Sequence, residues 1–184
     1  MEKVYITGTG RCGTTFLIKL FSFLNFNTGF NKSNYAKDIF SHCNSGMENA
    51  YNSVYDVVKN PTIIHNIKTI VADPKVHITA VIIPIRDYKA SAASRIKHGR
   101  RAGGLWNATD EASQISFYNT LISNYIYYMT KYEINTIFLD FDKMISDKTY
   151  LYDKLKPVLD TKNIDFETFS VEYDEATRTS RRNI

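Results

Sequence analysis

The run Lys3-Val4-Tyr5-Ile6-Thr7-Gly8-Thr9-Gly10-Arg11-Cys12-Gly13-Thr14-Thr15-Phe16-Leu17 decides the fold. Residues 3–7 read as a short strand. Gly8, Gly10 and Gly13 mark a sharp turn. Beyond it Phe16, Leu17, Leu20, Phe21 and Leu24 recur at helical spacing, which predicts a helix over 14–24 with one buried face. A glycine-rich turn between strand and helix is the setting of a phosphate loop. Glycine lets the backbone turn tightly, and the first N–H groups of the helix point at an anion that the helix dipole favours. The spacing is that of the nucleotide loop G-x-x-x-x-G-K-[ST], with Thr14 in place of the lysine. A nucleoside triphosphatase sets that lysine against the β- and γ-phosphates, so its loss argues against triphosphate chemistry. A positive charge stands instead inside the loop, at Arg11. The plainer alternative is a turn that only joins strand to helix. The glycine spacing, the flanking elements and the hydroxyl pair Thr14-Thr15 together favour anion binding.

Outward from this loop, strand and helix patterns alternate. Residues 25–53, rich in Asn, Ser and Gly, read as mostly loop with some helix. A strand is expected at 55–59, stopped by Asn60-Pro61, and a helix over 63–72, ended by Asp73-Pro74. The nearly continuous apolar run 78–85 is that of a parallel strand buried on both faces. A helix is expected from Arg86-Asp87 to about 97, a basic glycine-rich loop over 98–106, a long helix over 110–132, a strand at 136–141 and a helix near 143–159. The polar end, with Arg178, Arg181 and Arg182, reads as a frayed tail. The pattern predicts one α/β domain over 1–184, a three-layer sandwich with a mostly parallel central sheet, P-loop-like, with its ligand at the carboxyl ends of the strands.

Composition narrows the function classes. A length of 184 residues suits one domain with a real core. The net charge of +4 suits an anionic ligand but is too small, without a basic stripe, to predict nucleic-acid binding. No stretch is apolar for long enough to span a membrane, and strand-like sequence from Lys3 leaves no room for a leader, so a cytoplasmic protein is expected. Cys12 and Cys43 are expected as free thiols, and no Cys/His cluster has metal-ligand spacing, so no metal site is expected.

A second phosphate signal follows the central strand. Arg86 closes the run Val81-Ile82-Ile83-Pro84-Ile85, and Ser94 stands eight residues on, in the next helix. A guanidinium grips phosphate with paired donors and a serine hydroxyl adds another. The alternative is an arginine solvated or paired to Asp87.

The segment Gly10-Arg11-Cys12-Gly13-Thr14-Thr15-Phe16-Leu17 resembles the 5′-phosphosulfate loop of sulfotransferases that use 3′-phosphoadenylyl sulfate (PAPS), with Cys12 replacing the usual serine. Arg86 and Ser94 match that family's 3′-phosphate motif in type, order and spacing, and residues 56–61 resemble its strand-and-lysine segment. The resemblance implies a cytoplasmic enzyme moving a sulfuryl group from PAPS, with adenosine 3′,5′-bisphosphate (PAP) as product, to a hydroxyl or amine on a small metabolite or glycan. It implies nucleotide binding by Gly10, Arg11, Cys12, Gly13, Thr14, Thr15, Arg86 and Ser94, and catalysis by Arg11 and Lys59. Some relatives carry a histidine two residues beyond the lysine, where this chain has Pro61. Other branches use a glutamate after the loop helix, which makes Glu48 the candidate base. His42, His65 and His98 remain alternatives. The acceptor surface is expected from residues 25–53 and from the loop 97–106, with Trp106 and the basic run 97–101. Two competing readings are a P-loop kinase using ATP and Mg²⁺ and a non-catalytic module that binds PAP or PAPS.

Overall fold

A computed structural model describes residues 1–40, 43–99 and 104–181, the side chain of Arg181 excepted. Four strands, β1 (Glu2–Ile6), β4 (Val57–Lys59), β5 (His77–Ile85) and β6 (Thr136–Asp140), form a sheet in the order β4-β1-β5-β6, and every neighbouring pair is parallel. Between β1 and β4, strands β2 (Ile39–Phe40) and β3 (Ser45–Gly46) form a small antiparallel hairpin.

The sheet is covered on both faces, which explains its continuous apolar strands. Val4, Ile6, Val57, Ala80, Ile82 and Leu139 face one layer, made by α1 (Thr14–Phe23), α6 (Lys148–Leu159) and α7 (Phe166–Arg181). Their alternates Tyr5, Val58, Val81 and Ile83 face the other, made by a 3₁₀ turn at Ile63–Asn66, α2 (Ile67–Ala72) and α4 (Glu111–Lys131). The three-layer α/β sandwich with its parallel sheet is therefore the architecture. After β1 the chain runs through α1 to β4 on one side of the sheet. It then crosses beneath to β5 on the other side of β1. The loops leaving β1 and β5 diverge, and a crevice opens between them at the carboxyl ends.

Aspartates set the helix starts. Asp87, Asp110, Asp140 and Asp147 each accept a backbone N–H from the first turn of α3 (Tyr88–His98), α4, α5 (Phe141–Ser146) and α6. Two expectations change. The single helix expected near 143–159 is two helices, because Asp147 takes an extended conformation, ends α5 and caps α6. The expected frayed tail is the 16-residue α7, with Phe169, Tyr173 and Ala176 buried on one stripe and Asp165 accepting the N–H of Thr168.

One buried hydrogen bond ties the end of β1 to α4: Thr7 Oγ1 and Tyr125 Oη stand 2.5 Å apart, with both residues fully buried. Tyr125→Phe strands the Thr7 hydroxyl and is expected to cost about 1–2 kcal/mol in urea unfolding. Thr7→Val should cost a similar amount, and the double variant less than the sum, because the second change removes the stranded partner. Additive losses would mean that the two hydroxyls do not depend on each other.

Candidate functional site

The loop after β1 has an unusual backbone. Gly10, Arg11 and Gly13 all have positive φ, at 74°, 58° and 89°. At Gly10 a Cβ would overlap the guanidinium of Arg95, and at Gly13 it would overlap the Met144 side chain, so a larger residue at either would strain the backbone and displace a neighbouring side chain. Gly13 is also the N-cap of α1 and supplies no side-chain cap. The first N–H groups of α1 therefore open toward the crevice.

There they meet a cavity of about 370 Å³, a size suited to a small ligand. Its walls carry five cationic side chains, Arg11, Lys19, Lys59, Arg86 and Arg95, against one carboxylate, Glu48, among the described residues. Burial alone makes such an array costly, and an anion relieves it.

Lys59, at the end of β4, is 3% exposed. Its Nζ donates to Thr15 Oγ1 at 2.8 Å, to Glu48 Oε1 at 2.8 Å and to the carbonyl of Gly46. Burial lowers its pKa, opposed by the charge of Glu48. Glu48 is the half-exposed partner of this pair. Arg11 donates from Nε to Ser94 Oγ at 3.1 Å and from Nη1 to the carbonyl of Cys43 at 2.6 Å. Burial pulls its pKa down from a value so high that it stays charged. Arg86, just past β5, donates from Nη1 to the carbonyl of Arg11 at 3.0 Å and stacks at 4.7 Å over the Phe141 ring. Asp87 caps α3 instead of pairing with it.

The residues named from sequence thus fall in three groups. Gly10, Arg11, Gly13, Thr14, Thr15, Glu48, Lys59 and Arg86 line one cavity. Ser94 stands behind it, accepting from Arg11. Cys12 faces away: its side chain is fully buried beneath Gly8, where an added Cβ would sit 2.8 Å from Sγ, and burial raises the thiol pKa. Its side chain is core, which leaves only its backbone to a ligand. His65 is exposed on its 3₁₀ turn and lines no part of the cavity, and neither does His98 at the end of α3. His42, Arg100, Arg101, the Arg181 side chain and Arg182 lie outside the described residues.

Two cavity residues were not anticipated. Arg95 is 1% exposed and donates to Tyr118 Oη, to the carbonyls of Gly104 and Thr9, and stacks at 3.7 Å over Trp106. No spacing rule marks it. Lys19, on α1, is 3% exposed; its Nζ donates to Thr179 Oγ1 at 3.2 Å and to Ser180 Oγ, both on α7. A single charge inside the otherwise uncharged, nearly all-buried α1 was its signal.

Burial lowers the Lys19 pKa to about 8, with the charge of Glu175 opposing the shift. Below that pH, lysine is protonated both folded and unfolded, and the burial penalty acts in full. Between about 8 and 10.5 the unfolded chain binds the proton more strongly, so the lysine's contribution to stability improves as pH rises. The unfolding free energy of wild type relative to Lys19→Met should therefore rise between pH 7.5 and 10, by about 1–3 kcal/mol. A pH-independent difference would place the Lys19 charge in water. In comparisons with known proteins the chain matches no family model, no curated protein and no solved structure.

Proposed function

We propose that the protein is a PAPS-dependent sulfotransferase acting on a hydroxyl or amine of a small molecule or glycan. The observation that carries this reading is the concentration of four cations, Arg11, Lys59, Arg86 and Arg95, about the uncapped start of α1, with Glu48 beside one of them. A donor with phosphate at both ends of a nucleoside fits that excess, and Thr14, at the position of the triphosphatase lysine, has no charge to offer a γ-phosphate.

PAPS supplies a sulfuryl group attached to a phosphate that leaves readily. Each residue then has a definite task. Arg11 and the first N–H groups of α1 hold the 5′ side and stabilise charge on the departing oxygen. Arg86, fixed at a strand end and backed by Phe141, takes the 3′-phosphate. Lys59 supplies charge where the sulfuryl group passes. Glu48, within 2.8 Å of Lys59, takes the proton from the acceptor as its oxygen forms the new bond to sulfur. Trp106, stacked on Arg95, offers an aromatic wall.

Two measurements test this. In calorimetric titration, PAP should bind more tightly than adenosine 5′-monophosphate, and ATP with Mg²⁺ should not replace it. Arg86→Ala should weaken PAP by about ten- to a hundredfold while sparing the monophosphate. Ser94→Ala should weaken both ligands slightly, because its hydroxyl orients Arg11. Equal losses for both ligands in Arg86→Ala would remove the 3′-phosphate assignment. In a transfer assay, Arg11→Ala should reduce turnover by about a hundredfold or more with the fold retained by circular dichroism. Near-wild-type turnover would exclude Arg11 from the reaction.

A further inference from the structure

The cavity continues past the Lys59–Glu48 pair along α1. Thr15, which accepts from Lys59, and Lys19 are four residues apart and so share one face of that helix, with Lys19 about 6 Å further along the axis. At that far end the wall is completed by α7, through Thr177 and Ser180. Lys19 Nζ is held there by two neutral hydroxyls, and no described carboxylate lies within ion-pairing distance of it. A lysine 3% exposed whose described hydrogen bonds go only to neutral oxygens, with Glu175 near enough to act through its charge but beyond ion-pairing distance, can still take a ligand's anion. Thr177 Oγ1, on the same wall, is withdrawn from solvent with no hydrogen-bond partner among the described residues. Such an atom costs free energy that a ligand's hydrogen bond recovers. Between the two ends, Phe16 and Ile39 give the cavity an apolar side.

We infer that Lys19 and the hydroxyls of α7 form a subsite for an anionic group on the acceptor, so that the acceptor is a small, partly apolar hydroxyl compound bearing a carboxylate or sulfonate at the end remote from its reacting oxygen. The acceptor role rests on the sulfuryl-transfer reading; the anion subsite does not. Lys19 positions the acceptor, while Glu48 and Lys59 face the reacting oxygen. Substrates lacking the anion lose the group that fixes their orientation, and a fixed orientation is a main source of rate.

Calorimetry with three probes of one shape tests the subsite: 4-hydroxybenzoate, 4-hydroxybenzenesulfonate and the neutral 4-hydroxybenzamide, each titrated with and without saturating PAP. Wild type should hold both anions at least about tenfold more tightly than the amide, the worth of one charge-assisted hydrogen bond. Lys19→Gln should bring the three within about twofold by losing that same bond, with PAP affinity unchanged, and Lys19→Arg should keep the preference. Asn44 donates to the carbonyl of Ser180 at 3.3 Å and so adjoins Lys19 across that residue. Asn44→Asp supplies a competing carboxylate and should also abolish the preference, which keeps the test open if Lys19→Gln fails to fold. Equal binding of amide and anions by wild type, no binding of either anion at millimolar concentration, or a preference that survives Lys19→Gln overturns the subsite. A preference that falls in Lys19→Gln while PAP fails to bind leaves the subsite standing and removes the sulfotransferase. PAP binding without any preference does the reverse.

Discussion

The guanidinium of Arg95 holds the site together. It carries a full charge at 1% exposure, and its donors reach three different segments: the loop after β1 at Thr9, the α3–α4 connection at Gly104, and α4 at Tyr118. A buried charge is tolerated when it is hydrogen-bonded, and here three neutral oxygens and the Trp106 face stand in for a counterion. The arrangement dictates its surroundings. A side chain at Gly10 would displace the guanidinium of Arg95, and Trp106 is stacked where it borders the cavity. Breaking this arginine's contacts would unfasten the loop, the α3–α4 connection and one aromatic wall together.

Around that fixed corner the remaining cations divide by their partners. Lys59 has the one carboxylate; Arg11 and Arg86 have carbonyls and a serine; Lys19 has hydroxyls. Neutral partners orient a charge without cancelling it. The field in the cavity therefore stays positive, and the partners fix where each charge points before a ligand arrives. Preorganisation of this sort is what makes electrostatic stabilisation effective, because no reorientation is required at the moment of reaction.

Much of the architecture was legible because local signals agreed. The glycine spacing at 8, 10 and 13, the apolar run of β5 and aspartates ahead of the helices each have a direct physical cause. The α7 helix was also written in the sequence, as Phe166, Phe169, Tyr173 and Ala176 at helical intervals, but its overall polarity hid that stripe. The break at Asp147 was missed because apolar periodicity runs through it. In the site, Arg11, Lys59 and Arg86 share a cavity as strand ends and loop would place them. Cys12 turned inward because the left-handed residue before it redirects the chain, a fact of backbone and not of residue type. Arg95 was invisible for the opposite reason: only the packing of α3 against α4 decides that an arginine beside Ser94 is buried.

The central position of β1 has a kinetic consequence. Its partners lie far off along the chain, with Tyr5 opposite Val58 on one side and Val81 on the other. Parallel pairing over such separations requires closure of large loops before any contact rewards it, and topology of that kind slows folding. The left-handed turn after β1 is held by donors from Arg86, just past β5, and from Arg95, on α3, so a cradle built on it would be complete only once those elements are in place. A ligand that recognises only the finished cradle then leaves the rate of folding almost untouched and acts by holding back unfolding. Occupancy would set how long the molecule persists, and hardly at all how fast it is made.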